Sequence, residues 1–271
     1  MSQATQARPT PPIDPEWSSA KRQLSDKLLS IVMPAHNLAD AITGNLRHVH
    51  DLFHGKIPFE IVIVDDGSTD KTWEAIDKAA GEWPTIRPVR LVKNRGKGGA
   101  LKRGFEASRG SHILLLDGDL ELPPHQVLGF FDIMEKTGAD AVIGSKMHPE
   151  SMIGDYPWHR RLTSLVYYSL VKTLIGLPVR DTQTGIKLFK RAPLEWAFPR
   201  MLVKQFAFDL ELLSLVNEKG YRIAESPITL HPQGRWAVVK PGTVRQIVTD
   251  TLAVFYSRPI IKYYHAIGDT H

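Results

Sequence analysis

Phe59-Glu-Ile-Val-Ile-Val-Asp-Asp-Gly-Ser-Thr-Asp70 is an apolar run that stops abruptly in carboxylates, a glycine and hydroxyls. A run of this length, rich in β-branched residues, reads as a buried strand. The helical pattern over 71–80 follows at once, with Ser68 or Asp70 as its cap. The same grammar recurs on both sides. Upstream, 29–33 is a short apolar run stopped by Pro34, and 39–53 has helical spacing. Downstream, strand-like runs at 89–92, 112–116 and 141–144 alternate with helical stretches that end near Ser108 and span 123–137. Such alternation predicts βαβ units and a mostly parallel sheet flanked by helices, an α/β fold of Rossmann-like kind. Ligands of such sheets bind beyond the carboxyl ends of the strands. Five polar clusters fall at those ends: 34–37, 65–68, 94–99, 117–119 and 144–146.

The second half has a different texture. Strand-like runs occur at 186–189 and 222–230, and helical patterns at 206–219 and 243–255. Residues 1–27, with four prolines between Pro9 and Pro15, read as a flexible leader. The expected organisation is a leader over 1–27, a catalytic domain over 28–235 and a C-terminal extension of amphipathic helices over 236–271. No stretch reaches the roughly 20 apolar residues of a spanning helix, and the N-terminus lacks a signal-peptide core. A cytoplasmic chain is expected, one that can still sit peripherally on a membrane through 162–177 or 243–264. Packing of those helices on the sheet is the alternative.

The 271 residues include no cysteine, which excludes disulfides, thiolate metal sites and a thiol nucleophile. The net charge of +5 favours anionic partners without choosing among them. No nucleic-acid-binding motif accompanies it, so no nucleic-acid partner is expected.

Leu114-Leu-Leu-Asp-Gly-Asp-Leu120 places two carboxylates one residue apart just past a buried strand. A hard divalent cation held by oxygen ligands fits that spelling, with Asp117 and Asp119 as ligands and Glu121 as a third, directly or through water. A tight acidic turn is the alternative. Asp65 and Asp66 can accept hydrogen bonds from a base or a ribose; a capped turn is the alternative. Asn94-Arg-Gly-Lys-Gly-Gly-Ala100 fails both the P-loop and the dinucleotide spacing, which leaves Lys97 as a cation near a donor.

In this order and at about this spacing, Pro34-Ala-His-Asn37, Asp65-Asp-Gly-Ser68, Asn94-Arg-Gly-Lys-Gly98 and Asp117-Gly-Asp119 resemble the family 2 glycosyltransferases. Arg180-Asp-Thr-Gln-Thr-Gly-Ile-Lys-Leu-Phe189 and Phe206-Ala-Phe-Asp-Leu-Glu-Leu212 resemble the dolichyl- and polyprenyl-phosphate sugar transferases, especially the dolichyl-phosphate β-glucosyltransferase branch and its mannosyl relatives. The resemblance implies a GT-A fold and an inverting, metal-dependent transfer of a hexose from a nucleotide sugar to a polyprenyl phosphate. UDP-glucose is the first expected donor and GDP-mannose the second; a soluble glycan is the alternative acceptor. It further implies that Pro34, His36, Asp65 and Asp66 hold the nucleoside. Asp117 and Asp119 would hold Mg²⁺ or Mn²⁺ against the diphosphate, and Gly118 would let the backbone approach it. Lys146, Arg160 and Arg161 are the expected cations for the acceptor phosphate, and the loop with Asp181, Gln183 and Thr184 lies near it. Asp209 and Glu211 are weaker candidates near the sugar. His36 and Leu38 stand where relatives often have Tyr and Glu, which bears on base preference.

Overall fold

A computed structural model describes residues 15–154, 168–169, 171–173, 175–201 and 208–230. Nine strands are present among them: β1 (Leu29–Ala35), β2 (Phe59–Asp65), β3 (Ile86–Arg90), β4 (His112–Leu116), β5 (Ala141–Ser145), β6 (Met152–Ile153), β7 (Ile186–Lys190), β8 (Ile223–Pro227) and β9 (Thr229–Leu230). Seven form one sheet in the order β3-β2-β1-β4-β7-β5-β8. All its pairings are parallel except the two made by β7, which runs against β4 and β5. β6 and β9 make a separate two-stranded ribbon. The expected mostly parallel α/β sheet is therefore present.

The central strands β2, β4 and β5 are buried along their whole length, as their largely apolar spelling requires. β3 pairs three residues earlier than its apolar pattern suggests, at 86–90 instead of 89–92. It is an edge strand, which tolerates Pro88, and Val92 beyond it points into solvent at 97% exposure.

Helices cover both faces. They are α1 (Ser18–Gln23), α2 (Ile42–Phe53), α3 (Thr72–Glu82), α4 (Gly96–Ala107) and α5 (Val127–Thr137), then α6 (Arg191–Ala197) and Phe208–Glu218, called α7 here. One apolar cluster packs residues of α1, α2, α3 and α5 on one side of the sheet. A second packs α4, α6 and α7 on the other. The N-cap of α3 is Lys71, not the expected Ser68 or Asp70; Asp70, one residue earlier, accepts the N–H of Thr72, the first helical residue, at 3.0 Å. From the amphipathic segment 162–177, Val171, Ile175 and Leu177 are buried in the second cluster. Residues 236–271 lie outside the described residues.

Part of the stretch read as a leader is folded. Pro15–Trp17 forms a 3₁₀ turn that runs into α1. Trp17 is only 4% exposed and meets Phe53 edge-on at 5.7 Å between ring centroids. Arg22 closes the junction by donating to both carboxylate oxygens of Glu135, at 2.8 and 2.6 Å. The prolines obscured a single aromatic anchor. Trp17→Ala is expected to cost roughly 3 kcal/mol in denaturant unfolding, where a free leader would give no change.

His112 opens β4 and is buried, with Nδ1 3.1 Å from the Ser111 hydroxyl. Burial, and then the charges of Lys27 and Lys190, push its pKa down from 6.5 to about 4. The unfolded imidazole takes a proton near 6.5 and the folded one resists until about 4. Its contribution is thus complete above pH 6.5 and is lost as pH falls through that window, by about 3 kcal/mol in all. Unfolding free energies measured from pH 7 to 4 are expected to show this slope, and His112→Gln is expected to remove it.

Candidate active site

The carboxyl ends of β1, β2 and β4 form a continuous rim. Asp65 and Asp66 end β2, and both are buried. Asp65 Oδ1 accepts the Ser68 N–H at 3.1 Å, and Oδ2 faces Arg90 Nε at 3.4 Å without a well-aligned hydrogen bond. Asp66 Oδ1 accepts the Arg95 N–H at 2.7 Å and so ties the 94–97 loop to the β2 end. Asp70 sits under the β1 loop. Its pKa is lowered first by the Thr72 hydroxyl, and it also accepts from the backbone of Thr72 and Ala39.

Pro34 lies near the end of β1 and His36 is exposed just beyond it. His36 Nδ1 is 3.0 Å from the Asp66 carbonyl, so it carries the proton. That leaves Nε2 as an acceptor, 3.3 Å from the Asn37 amide nitrogen. The ring is thereby fixed in tautomer and orientation at the rim. Hydrogen bonds tie the 34–37, 65–68 and 94–97 segments to one another, and Asp65 and Asp66 each hold a loop through a backbone N–H.

The Asp117-Gly118-Asp119 turn leaves β4 under tight constraint. The Asp117 N–H donates to the Gly185 carbonyl at 3.0 Å, which extends the antiparallel pairing with β7. A Cβ on Gly118 would collide with the Pro34 carbonyl, and one on Gly185 would collide with the Asp117 carboxylate. The Asn45 side-chain amide donates to the Gly118 carbonyl at 2.8 Å. Leu120 adopts a left-handed backbone, φ 51°, a strain of about 1 kcal/mol that the surrounding contacts must offset. This turn presents Asp119 to solvent, with Oδ1 accepting only the Glu121 N–H, at 3.2 Å.

Lys97, in the first turn of α4, reaches Asp117 with Nζ 2.7 Å from Oδ1 and 2.9 Å from Oδ2. Behind the pair, Lys187 on β7 donates to Asp209 on α7 at 2.7 Å and also to the Thr184 carbonyl; both residues are buried. Burial opposes the charge on Lys97, but Asp209 and Asp117 outweigh it and hold its pKa above the ordinary lysine value. Burial raises the Asp117 pKa, Lys97 partly offsets that, and Asp209 adds to the rise. Two cations and two anions thus alternate from the rim into the core.

Asp181 organises the other flank. Its Oδ2 accepts the Lys146 N–H at 3.0 Å and lies 3.9 Å from Lys146 Nζ, while Oδ1 accepts the Gln183 N–H at 3.1 Å. Glu225 on β8 accepts the Arg180 and Asp181 N–H groups at 2.7 and 3.3 Å. The buried Thr184 hydroxyl donates to the Gly144 carbonyl. These bonds bring Asp117, Glu121, Lys146 and Gln183 to one cleft, whose apolar wall is Leu116, Leu122 and Leu230. Arg160 and Arg161 lie outside the described residues.

Among the described residues no three His, Asp or Glu side chains gather closely enough to hold a metal by themselves. Glu121 lines the same cleft as Asp117 without forming a three-carboxylate cluster with Asp117 and Asp119. Two carboxylates nonetheless suit a hard cation of the Mg²⁺ kind, which is commonly completed by substrate phosphates and water. Asp119 is the open carboxylate and Asp117 the one engaged by Lys97.

Two residues of this site escape the sequence reading. Lys187 sits between apolar residues in the buried part of β7 and pairs with Asp209, one of two carboxylates in the apolar first turn of α7. Charges inside apolar elements need partners, and that is the signal that could have joined them. Glu225 carried no comparable signal.

The model of the family described as "Glycosyl transferase family 2" matches residues 30–197. A dolichyl-phosphate beta-glucosyltransferase of Dictyostelium discoideum is 34% identical over 227 residues, 78% of this chain and 68% of that protein. The one of Homo sapiens is 32% identical over 223 residues, 77% of this chain and 67% of that protein. Among solved structures, glucosyl-3-phosphoglycerate synthase from Mycobacterium tuberculosis in complex with Mn²⁺, UDP and phosphoglyceric acid superposes with a TM-score of 0.65. It is 21% identical, and the superposition covers 93% of this chain and 85% of that one, which establishes the shared fold. With the family model spanning more than half of its length, this chain belongs to glycosyl transferase family 2 and is a nucleotide-sugar glycosyltransferase of the GT-A fold.

Proposed function

We propose that this protein transfers glucose from UDP-glucose to a dolichyl or other polyprenyl phosphate, with inversion, to give a β-linked glycosyl phospholipid. The observation that carries this reading is the single cleft lined by Asp117, Lys146 and Gln183. It sets a carboxylate suited to the donor side beside a cation suited to an acceptor phosphate. The names of the relatives at 34% and 32% identity support the acceptor class and the sugar.

In this reading an acceptor phosphate oxygen attacks the anomeric carbon. The bond from that carbon to the diphosphate oxygen breaks, and its electron pair leaves with UDP. A single displacement inverts the carbon. A phosphate monoester is largely dianionic at neutral pH, its second pKa being about 6, so no side chain needs to remove a proton. Lys146 holds the acceptor, with Gln183 beside it, and Arg160 and Arg161 are proposed to assist. Asp181 keeps Lys146 and Gln183 in register through two backbone N–H bonds. Asp117 and Asp119 would hold a divalent cation, Mg²⁺ or Mn²⁺, which when bound offsets negative charge on the departing diphosphate. His36, Pro34 and the loops fixed by Asp65 and Asp66 would frame the nucleoside. No helix among the described residues is long and apolar enough to cross a membrane. Meeting a lipid acceptor is therefore proposed to occur by peripheral association, on the cytoplasmic face.

The test is incubation with radiolabelled UDP-glucose or GDP-mannose, polyprenyl phosphate and Mn²⁺. UDP-glucose is expected to give a lipid-soluble, β-linked product and GDP-mannose none; the reverse result would move the assignment to the mannosyl branch. Asp119→Asn is expected to lower kcat by about 10²–10³-fold while the circular dichroism spectrum is kept. Lys146→Ala is expected to raise KM for the lipid phosphate about tenfold and leave UDP binding unchanged.

A further inference from the structure

Asp117 does not wait with open oxygens: the Lys97 ammonium contacts both of them, at 2.7 and 2.9 Å. Both side chains keep about a third of their surface exposed, 35% and 34%, so the pair lies at the boundary between core and cleft. Behind it, Lys187 and Asp209 already neutralise each other at 2.7 Å. The four charges cancel. A divalent cation entering alone would meet an ammonium at its ligand, and like charges at such range repel strongly where water is scarce. A nucleoside diphosphate changes that balance, because it brings negative charge that can take up both cations.

The backbone under Lys97 is in no position to withdraw. Gly98 lies so close to the Phe208 ring of α7 that a Cβ there would overlap it. The loop before it is tied to Asp66 through the Arg95 N–H at 2.7 Å. What can move is the four-carbon stem of the lysine, which carries a compact charge on a flexible tether.

We propose that Lys97 is the resident counter-ion of Asp117 in the donor-free protein and releases that carboxylate only when a nucleoside diphosphate takes the ammonium, so that metal and nucleotide bind as a coupled pair. The proposal rests on the reading of Asp117 and Asp119 as ligands of the donor metal. Lys97 is then a positioning residue: it sets when the site accepts a cation, not only how tightly. Coupling of this kind is reciprocal, so the metal strengthens nucleotide binding by the same factor.

The experiment is calorimetric titration of the full chain with Mn²⁺ alone, UDP alone, and each in the presence of the other. Wild type is expected to bind Mn²⁺ alone at least about tenfold more weakly than with saturating UDP. Lys97→Met is expected to bind Mn²⁺ alone about tenfold more tightly than wild type, and the gain from UDP should fall below that of wild type. Lys97→Arg restores the counter-charge and is expected to restore weak binding of Mn²⁺ alone. Thermal melts of all three variants separate lost folding from lost coupling. The proposal is overturned if Lys97→Met binds Mn²⁺ alone no more tightly than wild type, or if wild type binds it equally well with and without UDP. Absence of Mn²⁺ binding to wild type even with UDP and GDP would instead remove the metal site itself, and the donor reading with it.

Discussion

The ion pair between Lys187 and Asp209 is the constraint around which the catalytic half of this molecule is arranged. Taking an ammonium and a carboxylate out of water is costly, and the contact has to be short and well supplied with hydrogen bonds to offset it. Here it is 2.7 Å, with the Thr184 carbonyl as a further acceptor. Those partners come from β7, α7 and the loop before β7. None of the three can shift without exposing a buried charge. β7 is also the strand whose pairing with β4 carries Gly185 to Asp117. The rim carboxylate is therefore seated against a framework that electrostatics holds rigid.

The donor rim follows a different logic. Its acidic residues shape backbone as well as face the rim. Asp65 fixes the turn at Ser68, Asp66 fixes the 94–97 loop and Asp70 fixes both the start of α3 and the β1 loop. Each accepts backbone N–H groups, a role in which a carboxylate makes strong, charge-assisted bonds. The adjacent carboxylates that look like paired ligands in the sequence thus prove to serve different neighbours. Asp119 is the contrast, exposed and lightly bonded at the tip of a strained turn.

The parallel half of the sheet was legible because burial on both faces forces continuous apolar spelling, and because polar clusters punctuate each strand end. The order of the rim motifs was legible for the same reason. The direction of β7 was not: Ile186-Lys-Leu-Phe189 spells a strand without saying which way it runs. Nor was the pairing of Lys187 with Asp209, which are far apart in sequence and meet only through tertiary packing. Helical carboxylates are usually solvated, so the apolar setting of Asp209 and Glu211 had to be weighed against that habit to foresee their burial. Trp17 was hidden by its prolines, and the true register of β3 by apolar residues that continue past its last pairing. Local pattern specifies elements; long-range charge pairing and edge effects lie beyond it.

Residues 181–185 form one short loop with two employers. Its first residue steadies Lys146 and Gln183, and its last leaves just enough room for the Asp117 carboxylate. In the proposed reaction, acceptor and donor recognition would thereby share the same few peptide units. Grafting a loop from a relative with another acceptor would import a new seat for Asp117 as well. In the proposed reaction, acceptor range would therefore vary through the apolar wall, where Leu122 and Leu230 join the cleft to the core, while the loop itself stays fixed. That makes the apolar wall, more than the charged loop, the place where a lineage can vary what it glycosylates.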